Sequence, residues 1–149
     1  MTQYRIFAAM IATSTVVMLL LMYLNTYAID HIYWSETRFY MALMMGATMA
    51  TIMLAFMLGM YKSKKKNIAI FATSFVVFAA ALYLVRSQHT VQDVSWMKAM
   101  IPHHSIAILT SERAEISDPR VRELADAIIA TQKKEIAEMK TLIADLENK

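Results

Sequence analysis

Ile68–Val85, reading IAIFATSFVVFAAALYLV, is eighteen residues long and carries no charge. Coiled as an α-helix at about 1.5 Å per residue it extends roughly 27 Å, enough for the hydrocarbon core of a bilayer. Upstream lie two more uncharged stretches, Phe39–Met60 and Ile6–Tyr27. The first of the three sits where a signal peptide would, but its apolar run is longer than an h-region and no small-residue cleavage site precedes Asp30, so it reads as a retained helix. The chain is 58% hydrophobic over 149 residues, with a mean hydropathy of +0.40, too apolar for an ordinary soluble domain of this size. That excess is concentrated before Arg86, after which acids and bases occur throughout. The break divides the chain into a three-helix membrane region, residues 1–86 with spans at about 6–27, 39–60 and 68–85, and an extramembrane domain, 87–149.

Charge sets the expected orientation. Lys62, Lys64, Lys65 and Lys66 crowd the link between the second and third stretches, whereas Asp30, Glu36 and Arg38 occupy the first link. Lysine-rich links stay cytoplasmic, so the N-terminus is expected inside. Residues 28–38 and everything after Arg86 are then expected outside, which for a bacterial inner membrane means the periplasm or the cell exterior. Tyr23, Tyr27, Tyr33, Trp34 and Tyr83 fall where interfacial aromatic anchors belong. The net charge of +3 comes from the membrane region, since residues from Arg86 onward hold nine bases against ten acids. Nothing in that balance calls for nucleic acid. The chain has no cysteine, so neither disulfides nor thiolate ligands are available, and a soft-metal site must use methionine and histidine.

In the tail, apolar residues recur at three and four over Gln92–Ile116 and again over Pro119–Glu147, the helical period. Ser117-Asp118-Pro119 separates the two runs: Asp118 suits an N-cap and Pro119 the first helical turn. So short a link leaves only an antiparallel pair, in which residues whose numbers sum to about 236 share a level and His104 meets Gln132. Gln132 and Glu135 interrupt the second apolar stripe beside the histidines, and a carboxylate there needs a proton, a metal or a donor. A hairpin of this size buries little core alone, so it is expected to pair with a second copy as half of a four-helix bundle, or to pack on another membrane subunit. Pro102 removes a backbone donor inside the first helix and is expected to kink it.

Met97, Met100, His103 and His104 form the compact constellation of the chain. Thioether sulfur and imidazole nitrogen match Cu(I) well and hard cations poorly, and spacings of three and four place these donors within one or two turns of each other. Adjacent histidines diverge by about 100° on a helix, so His103 and His104 are not expected to chelate one ion together unaided. The same residues also fit a plain amphipathic helix, with methionines in the core and histidines half-exposed. The second membrane stretch holds Met41, Met44, Met45, Met49, Met53, Met57 and Met60. Methionine packs well in apolar surroundings, and packing is the expected role of this stripe. Ala42, Gly46 and Ala50 form a parallel stripe read as a helix contact. His89 and His31 lie in the outer segments, where a lone histidine is usually solvated.

The stretch Asp93-Val-Ser-Trp-Met-Lys-Ala-Met-Ile-Pro-His-His-Ser-Ile-Ala-Ile108, followed by Glu112, Pro119, Leu124-Ala125, Ile128, Gln132, Glu135-Ile136 and Met139, resembles the bacterial domain-of-unknown-function family 305 over roughly residues 90–146. The resemblance implies an all-α, ferritin-like fold and a link to periplasmic copper binding and resistance. It also implies Met97, Met100, His103, His104 and Met139 as candidate metal ligands. Where members often place a methionine shortly after the His-His pair, this chain has Leu109 and Thr110, and it carries a single copy of the motif. A complete site is therefore expected to draw on a second subunit.

These readings converge on a membrane-anchored, non-enzymatic protein that holds Cu(I), or another transition metal such as zinc, for storage, delivery or resistance. Its expected partners are the lipid bilayer, a second copy in a homodimer or higher oligomer, and copper-handling or respiratory membrane proteins. No nucleophile with an adjacent base, phosphate loop or acid pair is evident, and the paired Glu-x-x-His helices of a di-iron oxidase are absent. The competing reading is an accessory subunit that oligomerises or docks without metal.

Overall fold

The computed structural model describes residues 3–148; Met1, Thr2 and Lys149, at the ends of the two expected domains, lie outside them. Among the described residues the chain is all-α, with α1 (Gln3–Leu21), α2 (Glu36–Phe56), α3 (Lys64–Ser87), α4 (Asp93–Arg113), α5 (Pro119–Glu147) and a 3₁₀ turn at Ile29–His31. Helices α1, α2 and α3 are each long and apolar enough to cross a membrane. α1 stops at Leu21 rather than near Tyr27. Asn25 and Thr26 compete with helical backbone bonds, and the Thr26 hydroxyl donates to the Tyr23 carbonyl at 2.9 Å, a local turn in place of another helical one. α3 opens on Ser63, whose hydroxyl accepts from the Lys66 amide, and closes on Gln88 in the left-handed region at φ 52°.

The chain divides into two compact units. The first comprises the described part of Met1–Met22 with Thr37–Thr90, and so contains α1, most of α2 and α3. Its core is Phe7, Ala50, Leu54 and Tyr61, with Ile70 and Phe71 packed against them. Ala42, Gly46 and Ala50 are all buried, as expected of a small-residue contact. A Cβ at Gly46 would lie 2.2 Å from the Thr15 hydroxyl oxygen, so α1 and α2 approach as closely as they do because position 46 has no side chain. Phe56, Ile68 and Phe75 face outward, a distribution that suits lipid and costs free energy in water.

The second unit joins Tyr23–Glu36 to the described part of Val91–Lys149. The boundary thus differs from the simple division at residues 86 and 87, because the segment between α1 and α2 packs with α4 and α5. In the α4–α5 pair the buried core is Met97, Ile101, Ile108, Ile136, Met139 and Ile143. Contacts ascend one helix while descending the other: Ser111 with Arg122, His104 with Glu135, Lys98 with Glu147. Asp118 caps α5, its carboxylate accepting from the Arg120 amide at 2.9 Å, and Pro119 opens the first turn. The Arg120 side chain on the same carboxylate holds Asp118 below its usual range. α4 runs through Pro102, which is buried.

Candidate metal site

Position 104 is half-buried on α4, and its ring is held at both nitrogens. Nδ1 lies 3.0 Å from the Met100 carbonyl oxygen, one turn back. A carbonyl only accepts, so Nδ1 carries a proton. Nε2 lies 2.8 Å from Glu135 Oε2 on α5. A ring protonated at both nitrogens satisfies both oxygens; a ring protonated only at Nδ1 needs a proton on Glu135. In either form a single proton sits between Nε2 and Oε2, and both atoms converge on the same point. Tautomer locking by a backbone carbonyl is the arrangement that presents Nε2 as a ligand when that proton is replaced by a metal ion.

His104 therefore meets Glu135 and not Gln132, three residues along from the level set by chain spacing. Side chains on a helix lean toward its N-terminus, so Glu135 reaches back about one turn along α5 to the level of the imidazole. The remaining candidates are distributed around this pair. His103 is exposed, its ring centroid 6.3 Å from that of His104 at 67°, the divergence expected of neighbours on a helix. Met100 is half-buried at the edge of the α4–α5 core, whereas Met97 and Met139 are inside it. The two buried thioethers thus share one apolar cluster, and the two imidazoles lie outside it. Among the described residues no group of three or more His, Asp or Glu side chains gathers to hold a metal ion.

The other flank of the α4–α5 pair is occupied. Ser105, fully buried, accepts the Tyr27 amide at 2.7 Å and lies 2.9 Å from His31 Nδ1. The serine hydroxyl has one proton and a second lone pair left for His31 Nδ1, so either group can be the donor in this bond. Asp30 pairs with Lys140 at 2.5 Å, Tyr27 donates to Glu112 at 3.3 Å, Lys133 lies 5.7 Å from the Tyr27 ring, and Tyr33 packs on the core. Lys140 holds the Asp30 carboxyl below its usual range. Burial, and after it the Lys140 ammonium, push His31 below its ordinary 6.5, against the opposing pull of Asp30. None of these pairings was foreseen from the sequence, where His31 read as solvated; helical periodicity carries no information about what a loop touches.

With one flank covered, the opposite one is open. Trp96, Met100, His103 and Ala107 recur along α4 at four and three, and Val121, Leu124, Ile128, Glu135, Leu142 and Leu146 follow α5 on the side away from Lys133 and Lys140. Trp96 is 50% exposed and Leu124 61%. The His104–Glu135 pair lies on the edge of this apolar face.

Among the described residues, three apolar helices and a Met-Ile-Pro-His-His helix paired with α5 define an all-α class, and comparison with known proteins defines the family. The family model described as Domain of unknown function (DUF305) matches residues 81–149, and the chain belongs to that family. It is 33% identical over 115 residues to "Uncharacterized protein L153" of Acanthamoeba polyphaga mimivirus, an alignment covering 74% of each chain. No solved structure matches.

Proposed function

We propose that this protein is a membrane-anchored metal-binding protein that holds Cu(I) through methionine and histidine, for storage, delivery or resistance rather than catalysis. In this reading α1, α2 and α3 cross a bacterial inner membrane with the lysine link inside, and the α4–α5 hairpin faces the periplasm. The observation that carries the metal assignment is the His104 ring, locked at Nδ1 by the Met100 carbonyl and aimed at Nε2 toward Glu135. One chain supplies His104, Met100 and the exposed His103 on one open flank, too few donors in too divergent an array for a closed site. A second copy, laid against that flank so that two hairpins form a four-helix bundle, brings a second set of the same donors. Met97 and Met139 complete a thioether set if the core opens to metal, and otherwise serve as packing. Glu135 is a harder donor than sulfur, so zinc is the competing ion.

The test is competition of the full chain in detergent against a Cu(I) chelator, repeated with zinc. Wild type is expected to take Cu(I) from the chelator, with His104→Ala and Met100→Leu each weakening it about tenfold or more. Equal and poor competition by wild type and a His103→Ala/His104→Ala chain defeats the metal reading. The burial of Met97 and Met139 then favours a docking or oligomerising subunit in which the histidines only hydrogen-bond.

A further inference from the structure

We propose that the groove between α1 and α3 binds one anionic phospholipid, with an acyl chain laid along its small residues and the phosphate taken by Lys66. The groove is open to its surroundings, has a volume of about 530 Å³, and is lined by the small side chains of Ala8 and Ala12 on α1 and of Ala69 and Thr73 on α3, where larger side chains would fill it. Its lining extends from Tyr4 to Ala12 and from Lys66 to Ser74, about 12 Å along each helix. That is most of one leaflet, roughly half of a 30 Å hydrocarbon core. A helix from another subunit would need a groove continuing across the midplane; one acyl chain does not.

One end of this apolar trough is built and cationic. The Tyr4 hydroxyl donates to Asn67 Oδ1 at 2.8 Å and accepts from the Ser63 amide at 3.1 Å. Asn67, 8% exposed, in turn donates to the Tyr61 carbonyl at 2.8 Å. These bonds tie the start of α1 to the α2–α3 link. The Lys66 ammonium lies 5.0 Å from the Tyr4 ring centroid, over the mouth, and Lys62, Lys64 and Lys65 share the same link. An apolar channel ending within one helical turn of a positioned cation complements a lipid tail joined to a phosphate. Anionic lipid is concentrated in the cytoplasmic leaflet, the side to which the lysine link is assigned.

The inference rests on α1 and α3 spanning a bilayer and is independent of the metal. Native mass spectrometry of the full chain, released from micelles doped equally with phosphatidylglycerol and phosphatidylcholine, is expected to retain one phosphatidylglycerol. Lys66→Gln is expected to lose about fivefold of the preference for the anionic lipid, the worth of one cation at an anionic headgroup, while Lys64→Gln keeps it. Ala12→Leu and Ala69→Leu, whose side chains face the groove and not the core, are expected to lose bound lipid of both kinds at unchanged helicity. Should either leucine variant fail to fold, Lys66→Gln against Lys64→Gln decides. The proposal is overturned if wild type retains both lipids equally, if Lys66→Gln matches wild type, if folded leucine variants retain lipid unchanged, or if the groove holds a second copy, seen as a dimer lost in the leucine variants. Extraction of the chain from membranes by alkaline carbonate would overturn the spanning assignment itself, an outcome separable from loss of lipid selectivity alone.

Discussion

Ser105→Ala tests how the segment between α1 and α2 is held on the α4–α5 pair. The serine oxygen is fully buried and serves two partners, the Tyr27 amide at 2.7 Å and His31 Nδ1 at 2.9 Å. Alanine removes both bonds. A polar group stranded away from water costs about 1–3 kcal/mol, and the Tyr27 amide is only partly shielded, so about 2 kcal/mol is expected for the pair. That corresponds to roughly a 30-fold larger open population of the segment at 1.4 kcal/mol per factor of ten. Helix α4 itself gains slightly, because alanine is the better helix former by about 0.5 kcal/mol. Hydrogen exchange on the full chain separates the two effects: amides of residues 27–32 are expected to exchange up to 30-fold faster, while core amides of α4 and α5 keep their protection. Unchanged exchange at Tyr27, or loss of protection spread evenly over both helices, would refute the claim that this hydroxyl specifically anchors the segment.

The same contact predicts a pH dependence. His31 is held neutral and below its ordinary 6.5, so its contribution to docking is complete above that value and is lost as pH falls through the lower docked-state value; exchange of residues 27–32 should rise on acidification below about 6.5, and a His31→Gln chain should lack that dependence. Asp30, also lowered, keeps its bond to Lys140 until pH falls below the usual carboxylate range, so docking should weaken in two steps. Asp118→Ala removes the cap of α5 and is expected to lower the thermal midpoint, with the metal response unchanged. Gly46→Val forces a side chain into Thr15 and should destabilise the α1–α2 contact by about 1–3 kcal/mol, seen as a shift in unfolding from detergent micelles.

Much of this architecture is legible in a single chain because it follows from local and periodic physics. Three uncharged stretches mark three long apolar helices, the capping pair Asp118-Pro119 marks the start of α5 to the residue, and the burial of Met97 and Met139 follows from spacings of three and four. The divergence of His103 from His104 follows from 100° per residue. The ends of α1 were less legible, because a turn at Asn25-Thr26 breaks the helix inside a stretch that is still uncharged. Which polar residue of α5 faces His104 depended on how side chains lean across the gap between two helices. A difference of three residues is invisible to periodicity, since positions 132 and 135 share a face.

The tertiary structure alone decided what the segment from Tyr23 to Glu36 does. Its contacts with Ser105, Glu112, Lys133 and Lys140 join residues between 74 and 110 positions apart in the chain, and such pairings are chosen by shape and hydrogen-bond geometry after the helices have formed. By covering one flank of α4 and α5, that segment leaves the other as the exposed apolar surface and places the His104–Glu135 pair at its edge. Composition determined that the chain has apolar helices and a polar tail; which side of the tail remains open was fixed by long-range contact, for which the sequence carries no repeating signal.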